Sequence, residues 1–76
     1  MKERIMPVII AALKRNPDGL IARELVSIIW NTKKLKRYHN IGSGRVAMWL
    51  KHNRNIRREW CKDAGVNSYR WVGDDA

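Results

Sequence analysis

Residues 43–73 read SGRVAMWLKHNRNIRREWCKDAGVNSYRWVG, and the spacing of their apolar side chains changes once along the way. Up to Asn53 the spacing is helical. At about 100° per residue, Trp49, Leu50 and Asn53 fall within about 60° of Val46, while Arg45, Met48, Lys51 and His52 gather on the other side. Ser43 suits the N-cap, where its hydroxyl can accept from a first-turn amide that has no helical partner. From Ile56 onward the period is two. Ile56, Arg58 and Trp60 alternate with Arg57, Glu59 and Cys61, and Tyr69 and Trp71 alternate with Ser68, Arg70 and Val72. Between these runs lies KDAGVN, whose Asp, Gly and Asn favour a reversal. The stretch therefore predicts a helix over about 43–53 followed by an antiparallel hairpin over 56–73. A hairpin alone is marginal in water, so its aromatic face needs helices beneath it.

Those helices lie upstream. Ile5, Val8, Ile9, Ala12 and Leu13 repeat at three and four residues and predict an amphipathic helix over about 5–15. Pro7 belongs in its first turn, with residues 2–6 as that turn or a frayed approach, or else it kinks the helix. NPDG at 16–19 stops the helix, since the residue before proline avoids the helical region and glycine supplies the positive φ of a tight turn. Leu20 and Ile21 are expected as a very short extended segment, and ARELVSIIW at 22–30 returns to helical spacing through Leu25, Ile28 and Ile29. Residues 31–42 lose apolar periodicity and gain four basic residues. They are expected as an exposed, flexible basic loop, with at most one helical turn around Leu35 to Tyr38.

The 76 residues form a single domain, 1–76, whose core is thin because a chain of this length buries only about 60% of its unfolded surface. With 45% hydrophobic and 30% charged residues it is too apolar for a disordered tail and too broken by charge for a membrane span. The apolar run after the basic start meets Lys14 and Arg15 rather than a small-x-small cleavage site, which leads us to expect a first helix of a cytoplasmic protein, associated with the nucleoid if the host is prokaryotic. Cys61 has no partner for an internal disulfide, and His39, His52 and Cys61 match no paired zinc spacing, so no metal is expected.

The formal net charge is +9, and it is localised. From Leu25 to Arg58 there are nine basic residues and no acidic one, whereas outside that window seven basic side chains balance seven acidic ones. A field so concentrated attracts a polyanion, and nucleic acid is the commonest one in a cell.

Helix, short extended segment, helix, helix and hairpin is the order of a winged helix-turn-helix domain, and the resemblance covers nearly the whole chain. NPDGLIARELV is similar to that family's junction between its first and second helices, SGRVAMWLKH sits where its recognition helix lies, and NIRREWCKDAGVNSYRWVG looks like its wing. Two departures stand out: Ile21 occupies the position where the family commonly caps its second helix with Ser or Thr, which suggests that Ile21 is buried, and the connection 31–42 is longer than the usual tight turn. The paired wing prolines of Z-form-binding variants are absent. The resemblance implies an α+β fold, a small winged helix of three helices plus a C-terminal two-stranded antiparallel hairpin wing, and binding of double-stranded DNA by a transcriptional regulator or accessory protein.

On that reading the outward face of the 43–53 helix enters the major groove. Arg45 near its start donates to a guanine edge, with Ser43 beside it, and Met48 meets a thymine methyl. Lys51, His52 and Arg54, toward the other end, touch phosphate. Lys33, Lys34, Lys36 and Arg37, with Tyr38, form a second patch suited to backbone contact, which positions a protein without reading bases. The wing adds Lys62, Asn67 and Arg70, with Arg57 or Arg58 joining according to which strand face is open. The four tryptophans raise a stacking reading for single strands, but packing in a small core without phenylalanine explains Trp30, Trp49, Trp60 and Trp71 more economically. No constellation of nucleophile, base and acid emerges, so no enzyme, cofactor or small-molecule ligand is expected. A winged-helix module for protein interaction, or for RNA or single strands, is the alternative. Residues 1–13 are the one apolar surface a homodimer could use.

Overall fold

A computed structural model describes residues 2–73; Met1 and the acidic tail, residues 74–76, lie outside the described residues. The chain runs α1 (Lys2–Arg15), β1 (Leu20–Ile21), α2 (Ala22–Trp30), a 3₁₀ helix (Lys33–Tyr38), α3 (Ser43–Lys51), β2 (Ile56–Cys61) and β3 (Val66–Trp71). It is a small α+β fold: helices on one side of a three-stranded antiparallel sheet of order β1-β3-β2.

α1 begins earlier than its apolar spacing predicts and runs through Pro7. The buried stripe Ile5, Ile9, Ala12 and Leu13 lies on the far side of the helix from Pro7, which is exposed, so the missing donor and the ring fall on the solvent side. In the first turn a backbone hydrogen bond, foremost, holds the Glu3 carboxyl below its usual range. The Asn16 side chain closes the other end by donating to the Ala12 carbonyl at 2.8 Å. Gly19 then turns the chain at φ +97° into β1.

β1 corrects the expected strand count. Leu20 pairs with Tyr69 and Ile21 with Ser68, so the sheet has three strands rather than the two of a lone hairpin. The pairing covers part of the β3 edge that β2 leaves open, and Leu20 and Tyr69 share the buried face. At the start of α2, Ile21 is half-buried, and Glu24 Oε1 accepts from the Ile21 amide at 2.9 Å, which is the backward half of a capping box. The bond that a Ser or Thr would accept from a first-turn amide has no side-chain counterpart at Ile21.

The expected flexible loop is an ordered element. Its residues Leu35, Tyr38 and Ile41 pack into the core, Leu35 at 2% exposure. Leu35 and Tyr38 are three apart, the repeat that puts two side chains on one face of a 3₁₀ helix. Lys33, Lys34, Lys36 and Arg37 occupy the remaining, exposed positions. α3 starts one residue earlier than a Ser43 N-cap requires. Gly42 is the cap, Ser43 is the first helical residue, and no side-chain cap bond forms. The helix ends at Lys51, before the predicted Asn53, and Asn53 Oδ1 instead accepts from the Asn55 amide at 2.9 Å as the chain bends into β2. Val46 and Leu50 of α3 share one core with Leu25 and Ile29 of α2.

Candidate nucleic-acid interface

The side chains of α3 sort as their spacing predicts. Val46 and Leu50 are buried and Trp49 is half-buried, whereas Arg45, Met48, Lys51 and His52 are exposed, Met48 to 59%. Arg45, Met48 and His52 recur at three and four residues and form one ridge, with Lys51 about 60° from Met48. Two grooves flank this ridge. On one side Arg45 and Gly42 face Arg37, Tyr38 and Asn40 of the 3₁₀ region across a groove of about 330 Å³. The Arg37 guanidinium lies 6.0 Å from the Tyr38 ring centroid, within reach of the ring face. Leu35 pins the 3₁₀ helix, and of its four exposed cations Arg37 is the one that lines this groove with Arg45. Arg45 and Arg37, eight residues apart in sequence, therefore share one groove.

On the other side the hairpin rises. The register pairs Ile56 with Trp71, Arg58 with Tyr69 and Trp60 with Asn67, and directly opposed residues share a face. That face is the one carrying the buried Ile56 and Tyr69, so Arg58, Trp60 and Asn67 extend it past the core toward the start of α3. A second groove, about 370 Å³, lies between this overhang and the N-terminal ends of α2 and α3. Lys62 is exposed in the turn between the strands, where the Gly65 amide donates to the Cys61 carbonyl at 2.8 Å. Arg54 is exposed in the bend before β2.

Arg70 does not join this surface. It lies on the opposite sheet face, directly across from Arg57, and its guanidinium pairs with Glu59 at 3.5 Å. Two like charges facing each other repel, and Glu59 offsets that in part. The Arg70 stem packs against Gly19, and its Nε is buried with no hydrogen-bond partner. Of the two strand arginines in question, Arg58 belongs with α3 and Arg57 with Arg70.

The tryptophans depart from the packing expectation. Trp49 and Trp71 flank the core, with Lys14 Nζ 5.3 Å from the Trp71 ring centroid, but Trp30 is 50% and Trp60 65% exposed. Trp30 follows the last core residue of α2, and Trp60 lies beyond the last helix-covered position of β2. Alternation assigns a strand residue to a face, but it does not say where along that face the core ends. Arg58, one step before Trp60 on the same face, was the available signal. Arg23, at the start of α2, also lines the hairpin groove and was not picked out by its spacing.

No family model, curated protein or solved structure matches this chain. His39, His52 and Cys61 sit at the ends of three different elements, and among the described residues no group of three or more His, Cys, Asp or Glu is placed to hold a metal ion. No helix among them is long and apolar enough to cross a membrane. The apolar face of α1 is largely occupied by the protein's own core, which leaves Met6, Val8 and Ile10 half-buried at its margins.

Proposed function

We propose that the chain is a winged helix-turn-helix domain that binds double-stranded DNA, with α3 in the major groove, as a transcriptional regulator or accessory DNA-binding protein. The observation that carries this reading is the groove that Arg37 of the 3₁₀ helix shares with Arg45 of α3, within an acid-free basic segment whose Lys33, Lys34, Lys36 and Met48 are also exposed. Between Leu25 and Arg58 no carboxylate interrupts this field. Arg45, in the first turn of α3, is the base-reading residue, because the leading end of such a helix is the part that reaches base edges. The 3₁₀ cations, Lys51 and Arg54 hold phosphates, while Arg58 and Lys62 extend the charge onto the wing. The sheet order β1-β3-β2, with β1 supplied between the first two helices, also fits the winged-helix reading. Its place of action is the cytoplasm, on the nucleoid in a prokaryote.

The test is a fluorescence titration against duplex DNA, single-stranded DNA and structured RNA at two salt concentrations. Binding to duplex that weakens steeply with salt is expected, since each neutralised phosphate contributes about 0.9 to the logarithmic salt slope. Absence of duplex binding at low salt would overturn the reading.

A further inference from the structure

Trp60 stands 65% exposed on β2, and nothing in the core rests on its indole. Asn67 is directly opposite on β3, half-buried, and Arg58 precedes Trp60 by two residues on the same face. The adjoining groove of about 370 Å³ meets α3 at Ser43, Gly44 and Ala47, all small, and a Cβ added at Gly44 would find nothing within 4 Å. Among the described residues, the lining of that groove includes Arg23 and no carboxylate. A flat π face, a carboxamide and the Arg23 guanidinium thus line one groove, with Arg58 next to Trp60 on the same strand face. These are the groups that hold a nucleobase: the indole stacks on its face, the carboxamide can bond its edge, and the cations meet the flanking phosphates.

We propose that this groove takes an unpaired nucleobase, stacked on Trp60, so that the protein favours a duplex carrying a single-stranded end over a fully paired one. The base must be unpaired because both faces of an interior duplex base are already covered by its neighbours, and only an end or an opened strand offers a free face. The positive field on this side of the molecule selects a polyanionic occupant over a neutral apolar one. The inference rests on the basic surface proposed above for the duplex, and places the single strand where that surface meets the hairpin.

The experiment compares wild type, W60F and W60A at one salt concentration against three probes of common sequence: a fully paired duplex, the same duplex with a short DNA overhang carrying 2-aminopurine as its first unpaired base, and the same with an RNA overhang. Wild type should bind an overhang about fivefold to a hundredfold more tightly than the paired duplex, the range one stacked base is worth, and should quench the 2-aminopurine. W60A should abolish both the preference and the quench while leaving paired-duplex affinity unchanged, and W60F should retain most of each. The DNA and RNA overhangs distinguish the source of the base. Equal wild-type affinity for paired and overhanging probes would overturn the site, as would quenching that survives in W60A or an equal loss on all probes with W60A. Overhang binding without paired-duplex binding would instead sink the duplex reading and leave the stacking site standing.

Discussion

Gly19 stands at φ +97°, and a Cβ there would lie 3.2 Å from both the Arg70 Cγ and the Tyr69 carbonyl oxygen. Two costs therefore coincide at one residue, a backbone conformation that L side chains avoid and a close approach to β3. Gly19→Ala should destabilise the fold by about 1–2 kcal/mol, a fall in melting temperature of several degrees for a domain of this size. Gly44 is the contrasting site: its φ is not positive and the added methyl meets open space, so Gly44→Ala should raise stability by a few tenths to about 1 kcal/mol through helix propensity. Thermal denaturation of the two variants checks both signs, and a fall of similar size in each would contradict the geometry. The NPDG string made the turn at Gly19 legible, because proline and glycine act locally. That Gly19 also lies against Arg70 was not legible, since the contact joins residues far apart in the chain.

At the scale of elements, the instructive segment is the 3₁₀ helix. Its sequence KKLKRY carries only Leu35 and Tyr38 as non-basic positions, too few to establish a period, and it reads as loop. Tertiary packing decides otherwise, because a buried leucine stabilises a conformation that local propensity leaves open. Leu35→Ala should cost about 2–5 kcal/mol, a large share of the stability of so small a domain. Hydrogen exchange should then accelerate first across residues 33–38. Protection there unchanged from wild type would mean that Leu35 does not hold the segment. β1 escaped notice as a paired strand for a related reason: two residues carry no alternation, and their pairing with Tyr69 and Ser68 is a property of the assembled sheet. α2, by contrast, was legible to the residue at both ends, since Leu25, Ile28 and Ile29 repeat at helical spacing between the turn at Gly19 and a polar stretch beginning at Asn31.

For the whole molecule, the question is how a charge of +9 is arranged. The excess lies between Leu25 and Arg58 in the linear sequence, but linear order does not tell that Arg37 and Arg45 share a groove while Arg57 and Arg70 share a sheet face. The fold makes that division, through the anchor at Leu35 and the pleat of the sheet. On the proposed duplex, Lys33, Lys34, Lys36, Arg37, Lys51 and Arg54 would meet phosphates, a set large enough to weaken binding about a thousandfold between 50 mM and 200 mM salt. Lys34→Ala should then weaken preferred and random duplexes alike and reduce the salt slope by about 0.9. Arg45→Ala should act differently, costing about 1–3 kcal/mol on preferred duplexes and less on random ones, because a lost base contact matters only where that base is present. Arg57→Ala, on the far face of the sheet, should leave the slope unchanged. Salt titrations of the three variants separate these outcomes: an Arg57 effect equal to that of Lys34 would mean that the DNA follows the net charge rather than the surface built around α3.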